Sequence, residues 1–338
     1  GNKNLTWETS NSFNVGVDFG FWDRKLSGTV EYFNRQTSDM LYNRPTSPSL
    51  GYTSIPMNIG SMRNSGFEIE LTYRPIATKN LVWAINANAT FVNNKVLKLA
   101  PELGGKWING SRIYREGESM YQLYMVKYAG VDKATGEALY WGFDTDDNGD
   151  KVPGSDFVTK EWKSAYRQST GDLLPIVYGG FGTTLNAYGF DLGLAFSYQL
   201  GGKIYDQGYQ YLMGSGASSE YGHNWHKDIR NAWTPENPNT NVPRLDAQAA
   251  YSYYSYLCDR GLITSNYLSL NNITLGYTLP SNFTKKFGVE SLRIYGAADN
   301  VALWSARKGL DPRQSFTAAT TSLYTALRCI SGGLKVTF

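Results

Sequence analysis

Residues 190–200 read FDLGLAFSYQL, and the alternation has no break. Phe190, Leu192, Leu194, Phe196, Tyr198 and Leu200 fall on one side of an extended chain, with Asp191, Gly193, Ala195, Ser197 and Gln199 on the other. Successive side chains of a strand point to opposite faces, so this is a strand with one apolar face and one polar or small face. It is longer than the usual strand of a soluble sheet, about five or six residues, and it suits a tilted crossing of hydrocarbon.

The same period recurs outward from that stretch. Val15, Val17, Phe19 and Phe21 alternate with Asn14, Gly16, Asp18 and Gly20, and a short link around Trp22, Asp23 and Arg24 leads to Leu26, Val30 and Tyr32. Phe67, Ile69, Leu71 and Tyr73 alternate with Glu68, Glu70, Thr72 and Arg74. Trp83, Ile85, Ala87, Ala89 and Phe91 alternate with Ala84, Asn86, Asn88 and Thr90. Further strands are predicted over Leu173–Leu185, Ser265–Leu279, Ser291–Val301 and Cys329–Phe338.

The links fall into two classes. Those at 22–24, 75–80, 187–189 and 280–289 are short, and those at 38–62, 93–119, 144–172, 202–264 and 302–328 are long. Transmembrane barrels have short turns on one side and long loops on the other. The long links share a side if the stretch between Asn93 and Leu173 crosses an even number of times. Tyr121–Gly130 and Glu137–Phe143 are the two crossings expected there, which makes about eleven strands in all. The expected class is therefore all-β, a transmembrane antiparallel barrel, with residues 1–338 forming part of one barrel domain. An odd count and an unpaired first strand both predict further strands before Gly1, because open edges in hydrocarbon leave backbone groups unsatisfied.

Composition agrees and excludes alternatives. Charged residues are 18% against roughly 25% in ordinary soluble domains, aromatics are 14%, and 35 glycines suit turns and close strand packing. A net charge of +3 gives no broad electropositive field for nucleic acid. No apolar run is long enough for a membrane-spanning helix, which does not weigh against strands. His223 and His226 are the whole imidazole stock and read as loop residues, not a zinc centre. No Gly-x-Ser-x-Gly, His-Glu-x-x-His or phosphate-loop pattern is present, so the chain is not expected to be an enzyme.

Several residues stand out as candidate sites. Glu68, Glu70 and Arg74 share the polar face, where they either keep the lumen wall wet or contact whatever fills the lumen. The loop DTDDNGDKVPGSD, Asp144 to Asp156, offers Asp146, Asn148, Asp150 and Asp156 to calcium. Its alternative reading is a solvated Asx turn. The ring-rich loop 202–264 holds Trp225 and Trp233, which either contact solute or another protein or pack the loop over the barrel mouth. Cys258 and Cys329 both fall on the long-loop side, where a disulfide is permitted; the other reading is two unpaired thiols.

GNKNLTWE (Gly1 to Glu8) followed by SFNVGVDFGFWDRKLSGTVEYFNRQTSDML (Ser12 to Leu41) resembles a late-barrel block of the SusC/RagA family of TonB-dependent transporters. NIGSMRNSGFEIELTYRPI from Asn58, LSLNNITLGYTLP from Leu268 and LRIYGAADNVALWSARKGLDPR from Leu292 are similar to further blocks in the same order. The resemblance implies a 22-stranded barrel in the bacterial outer membrane, with an N-terminal plug, contact with TonB through an N-terminal part outside this chain, and a SusD-like surface lipoprotein as lid. It also implies import of oligosaccharides or peptides. A structural or adhesive barrel protein without active transport is the alternative. The family often carries an Asp-x-Asn-Gly-Asp loop like the one here, although Lys151 stands where a Gly usually follows. The final strand, with Ile330, Gly332, Leu334, Val336 and Phe338 on its lipid face and Ser331, Gly333, Lys335 and Thr337 on the other, resembles the terminal signal of outer-membrane barrels.

Overall fold

The computed structural model describes residues 5–47, 49, 51–147, 150–214, 224–246, 257–314 and 324–338. Its main feature is one antiparallel sheet of nine strands: β1 (Thr9–Phe21), β2 (Leu26–Ser38), β3 (Gly60–Ala77), β4 (Leu81–Leu99), β5 (Val177–Ala187), β6 (Phe190–Leu200), β7 (Tyr267–Thr278), β8 (Ser291–Ser305) and β9 (Cys329–Thr337). Each strand pairs with its neighbours in chain order, and β1 and β9 stand at the edges. This is the up-and-down order of a barrel wall.

The register aligns the apolar faces into one surface. Val17 lies opposite Val30, Val30 opposite Ile69, and Ile69 opposite Ala89. Farther along, Leu194 lies opposite Ile273, Ile273 opposite Ala298, and Ala298 opposite Ile330. This surface is open: Val17 is 64% exposed and Ile330 79%. A soluble monomer rarely exposes more than a few hundred Å² of contiguous apolar area, whereas this band runs across nine strands, as lipid contact requires. Rings gather at its two ends. Tyr32, Phe67 and Phe91 form a row toward the long loops, with Tyr32 and Phe67 5.3 Å apart between centroids. Phe190 and Tyr277, 4.4 Å apart, lie toward the short turns with Trp83. Aromatic girdles at both interfaces have this placement.

The turn after β1 is tighter than its composition suggests. Trp22, Asp23 and Arg24 all have positive φ, and Lys25 N–H donates to the Trp22 carbonyl at 3.0 Å, so the chain reverses without a glycine.

Two of the eleven expected crossings are not crossings. Tyr121–Gly130 and Glu137–Phe143 contribute Gln122–Val126, Tyr128–Val131 and Ala138–Gly142, which belong to a four-stranded and a three-stranded sheet apart from the main one. These strands have four or five residues, where a tilted crossing needs about nine to eleven. Their inward residues are truly buried, Tyr140 and Met125 at 1% exposure, because they pack on loop rather than lipid. The count among the described residues is nine, and with no crossing between β4 and β5 the long loops still share one side. Buried apolar residues concentrate there, in one cluster of Val126, Ala138, Tyr140 and Cys258 and another of Leu123, Met125, Leu173 and Tyr205.

Candidate functional site

The polar face carries Glu68 and Glu70 as the alternation requires. Glu68 lies between Glu31 and Thr90, and Glu70 between Thr29 and Asn88. Arg74 falls where the β3–β4 register shifts, and its N–H donates to the Lys25 carbonyl at 2.6 Å. The structure brings Glu70 and Arg74 together in an open cleft of about 600 Å³ with Asp18, Arg24 and Thr29, and leaves Glu68 outside it. Thr29 Oγ1 donates to Asp18 Oδ1 at 2.6 Å. Mixed charge on an inward wall can hold water or a polar solute.

A second arrangement lies at the long-loop end, and sequence reasoning missed most of it. Asp206 caps the helix Gln207–Leu212 by accepting from Tyr209 N–H at 3.1 Å. Its other oxygen accepts from Arg307 Nε at 2.7 Å, and the Arg307 guanidinium lies 3.2 Å from the Tyr209 ring centroid. Tyr209 Oη donates to Asp228 Oδ2 at 3.0 Å, and burial, reinforced by that bond, pushes the phenol up from its ordinary value. His226 stands 4.8 Å from the same ring; His223 lies outside the described residues. Asp206, Tyr209, His226 and Arg307 border a cleft of about 230 Å³, and the bond of Arg307 to Asp206 and its stacking on Tyr209 pin the loop after β6 to the loop after β8.

The two tryptophans separate. Trp233 packs against Gly136, and its Nε1–H donates to the Lys133 carbonyl at 3.1 Å, so it holds the loop to the Asp132–Gly136 turn. Trp225 is 42% exposed. Below that turn Lys160 bonds both Asp132 and Glu137, and its hydrogen bonds hold both carboxyls below their usual range, Asp132 at about 2.

The acidic loop does not gather its carboxylates. Lys106 Nζ lies 2.8 Å from Asp150 and holds that carboxyl below its ordinary value, and Lys151 Nζ lies 2.6 Å from Asp156. Asp146 Oδ1 accepts from Asp150 N–H at 2.9 Å. Asn148 lies outside the described residues. Among the described residues no group of three or more His, Cys, Asp or Glu could hold a metal ion.

Of the two readings of the cysteine pair, the structure has the unpaired one: Cys258 and Cys329 are both free. Cys258 is drawn into the Val126–Tyr140 cluster, while Cys329 opens β9 opposite Asp299. Burial pushes the Cys258 thiol up to about 12. A maleimide at neutral pH is therefore expected to leave Cys258 unmodified in the folded protein and to label it after denaturation, with no mobility change between reducing and non-reducing gels. Ready native labelling of Cys258 would contradict this packing.

A membrane-exposed sheet, a polar inner face and loops locked on one side define the wall of a transmembrane β-barrel. The family described as TonB dependent receptor-like, beta-barrel matches residues 1–158. TonB-dependent receptor P3 of Formosa agariphila is 31% identical over 93% of this chain and 31% of its own length, and TonB-dependent receptor SusC of Bacteroides thetaiotaomicron is 26% identical over 92% and 30%. The solved structure of the RagAB peptide transporter aligns with all of this chain and 36% of its own at a TM-score of 0.84 and 27% identity. The chain belongs to the TonB-dependent receptor β-barrel family, in its SusC/RagA branch. It spans about a third of the length of these relatives.

Proposed function

We propose that this chain is a nine-strand section of the wall of a TonB-dependent importer in a bacterial outer membrane, and that the complete barrel takes up oligosaccharide or peptide. The observation that carries the reading is the sheet itself, apolar outside, polar inside, with every long loop on one side. In hydrocarbon the edges of β1 and β9 need partners, so strands outside these residues complete the ring around an N-terminal plug that receives energy from TonB. A SusD-like lipoprotein covers the long-loop side, where exposed Trp225 is placed to meet it or the cargo. Glu70 and Arg74 meet the plug or solute from the wall. The likeness to the RagAB peptide importer supports the peptide class.

Native mass spectrometry of the full-length protein extracted from outer membranes tests this. A complex with a lipoprotein and a bound oligosaccharide or peptide mass is expected, and uptake of the labelled cargo should cease when TonB is deleted. Recovery as a folded detergent-free monomer, or uptake indifferent to TonB, would overturn the reading.

A further inference from the structure

We propose that the outward face of β2–β4, at its long-loop end, binds the phosphorylated headgroup of a glycolipid in the surrounding leaflet. The inference rests on the membrane reading above and concerns a surface that the import route does not use.

The register lays out the surface in rows. Above the ring row of Tyr32, Phe67 and Phe91 come Asn34, Ser65 and Asn93, and above those Gln36, Arg63 and Lys95. Past the shift at Ser61/Met62, Lys98 lies opposite Ser61 on the same face. Each row is two residues along the strand, roughly 7 Å, so Arg63 and Lys95 stand roughly 14 Å along the strand beyond the rings, somewhat less in height once the tilt is counted. Aromatic rings mark the headgroup boundary. Cations that far above it suit a tall, sugar-based headgroup bearing phosphate, with its acyl chains against the rings.

The cations are uncommitted. None of Arg63, Lys95 and Lys98 forms an ion pair among the described residues, and Arg63 Nε is shut off from solvent without a hydrogen-bond partner. Of the acids nearby, Glu116 accepts from Leu99 N–H at 2.9 Å, Glu118 pairs with Arg115 at 2.9 Å through one oxygen, and Asp172 accepts from Leu174 N–H at 2.8 Å, while Asp39 and Glu102 border a separate cleft with Lys98. Beside Lys95 opens a cleft of about 720 Å³ that reaches down to the three rings and to Ile176, 69% exposed. The cluster is local, since the outward positions at the same end of β6–β8 are Tyr198, Leu268 and Trp304.

The test uses the full-length protein extracted from outer membranes, with native mass spectrometry against bisphosphorylated lipid A and its dephosphorylated form. The wild type is expected to retain the phosphorylated probe selectively. R63Q/K95Q/K98Q should retain it on the order of 100-fold less, from the loss of three surface cations, while K285Q/K286Q on the short-turn side should behave as wild type. Equal retention by the triple variant, equal retention of the dephosphorylated probe, or displacement by inorganic phosphate would overturn the proposal. Should the triple variant fail to insert, K95Q alone carries the test, with a several-fold loss expected and no loss counting against the site. Wild-type protein found in the outer membrane without lipid preference sinks this inference alone; its absence from that membrane sinks the functional reading as well.

Discussion

Replacing Gly66 with valine is expected to remove most of the folded, heat-modifiable form of the full-length protein from the membrane fraction. Gly66 sits in β3 between Phe33 of β2 and Val92 of β4. A Cβ there would lie 1.8 Å from the Phe91 carbonyl oxygen and 2.8 Å from the Phe33 ring. The ring can turn aside. The carbonyl cannot, because it belongs to the backbone of β4, which is paired with β3 along this stretch. Overpacking a core that can adjust costs about 1–3 kcal/mol, and a fixed backbone neighbour puts this substitution at or above the upper end. That is enough to lower the folded-to-unfolded ratio by ~100-fold.

Gly16 supplies the contrast within the same sheet. A Cβ at Gly16 would meet Glu31 Cβ and the Val30 carbonyl oxygen at 3.6 Å, ordinary contact. Gly16→Val should therefore fold nearly as well as wild type. Equal folding of both variants, read by gel shift and protease resistance, would mean that the β2–β3–β4 packing described above is wrong.

The two substitutions also show what could be read from the chain. Alternation located every strand of the main sheet, because lipid on one side and water on the other impose opposite chemistry on neighbouring residues. That signal fades where the sheet leaves the bilayer. β4 continues from Phe91 to Leu99, yet Asn93, Asn94 and Lys95 read as the start of a loop, since both faces there meet water or protein. The converse error occurred at Glu137–Phe143, where Ala138, Tyr140 and Gly142 share the face turned to a buried loop core rather than to lipid.

The loop clamps were illegible for another reason. Asp206 and Arg307 are 101 positions apart, and no local pattern couples them. Asp206 does stand three residues before Tyr209, the spacing of a helix cap, so half of that clamp had a local sign. Cys258 and Cys329 were brought together by their shared side of the membrane alone, which fixes topology but says nothing of the packing that buries one and leaves the other open.

Asp311→Ala is expected to destabilise the long-loop end by about 3 kcal/mol, the low end for removing one partner of a buried ion pair. Asp311 is 3% exposed and accepts Arg313 Nε at 2.8 Å on one oxygen and Nη2 at 2.7 Å on the other. Arg313 Nη1 donates onward to Ser269 Oγ at 2.8 Å, so the carboxylate fixes a guanidinium that ties the loop after β8 to β7. Arg313 keeps 24% of its side-chain surface, and water can partly replace the lost partner, hence the low end.

Burial acts to raise the Asp311 carboxyl, but its bonds to Arg313 outweigh this and hold it below its ordinary value. A depressed carboxyl stabilises the fold fully above its unfolded value, near 3.9, and loses that contribution as pH falls through the folded one. The gap between wild type and D311A should thus be widest near neutral pH and should close in acid. Joint replacement, D311A/R313M, removes the stranded cation and should recover part of the loss, since residues in one network are not additive. Urea unfolding of the full-length protein in detergent, followed by protease sensitivity of the loop, reads all three. A D311A midpoint indistinguishable from wild type, or a double variant worse than the sum of its singles, would show that the pair does not hold the loop to the wall.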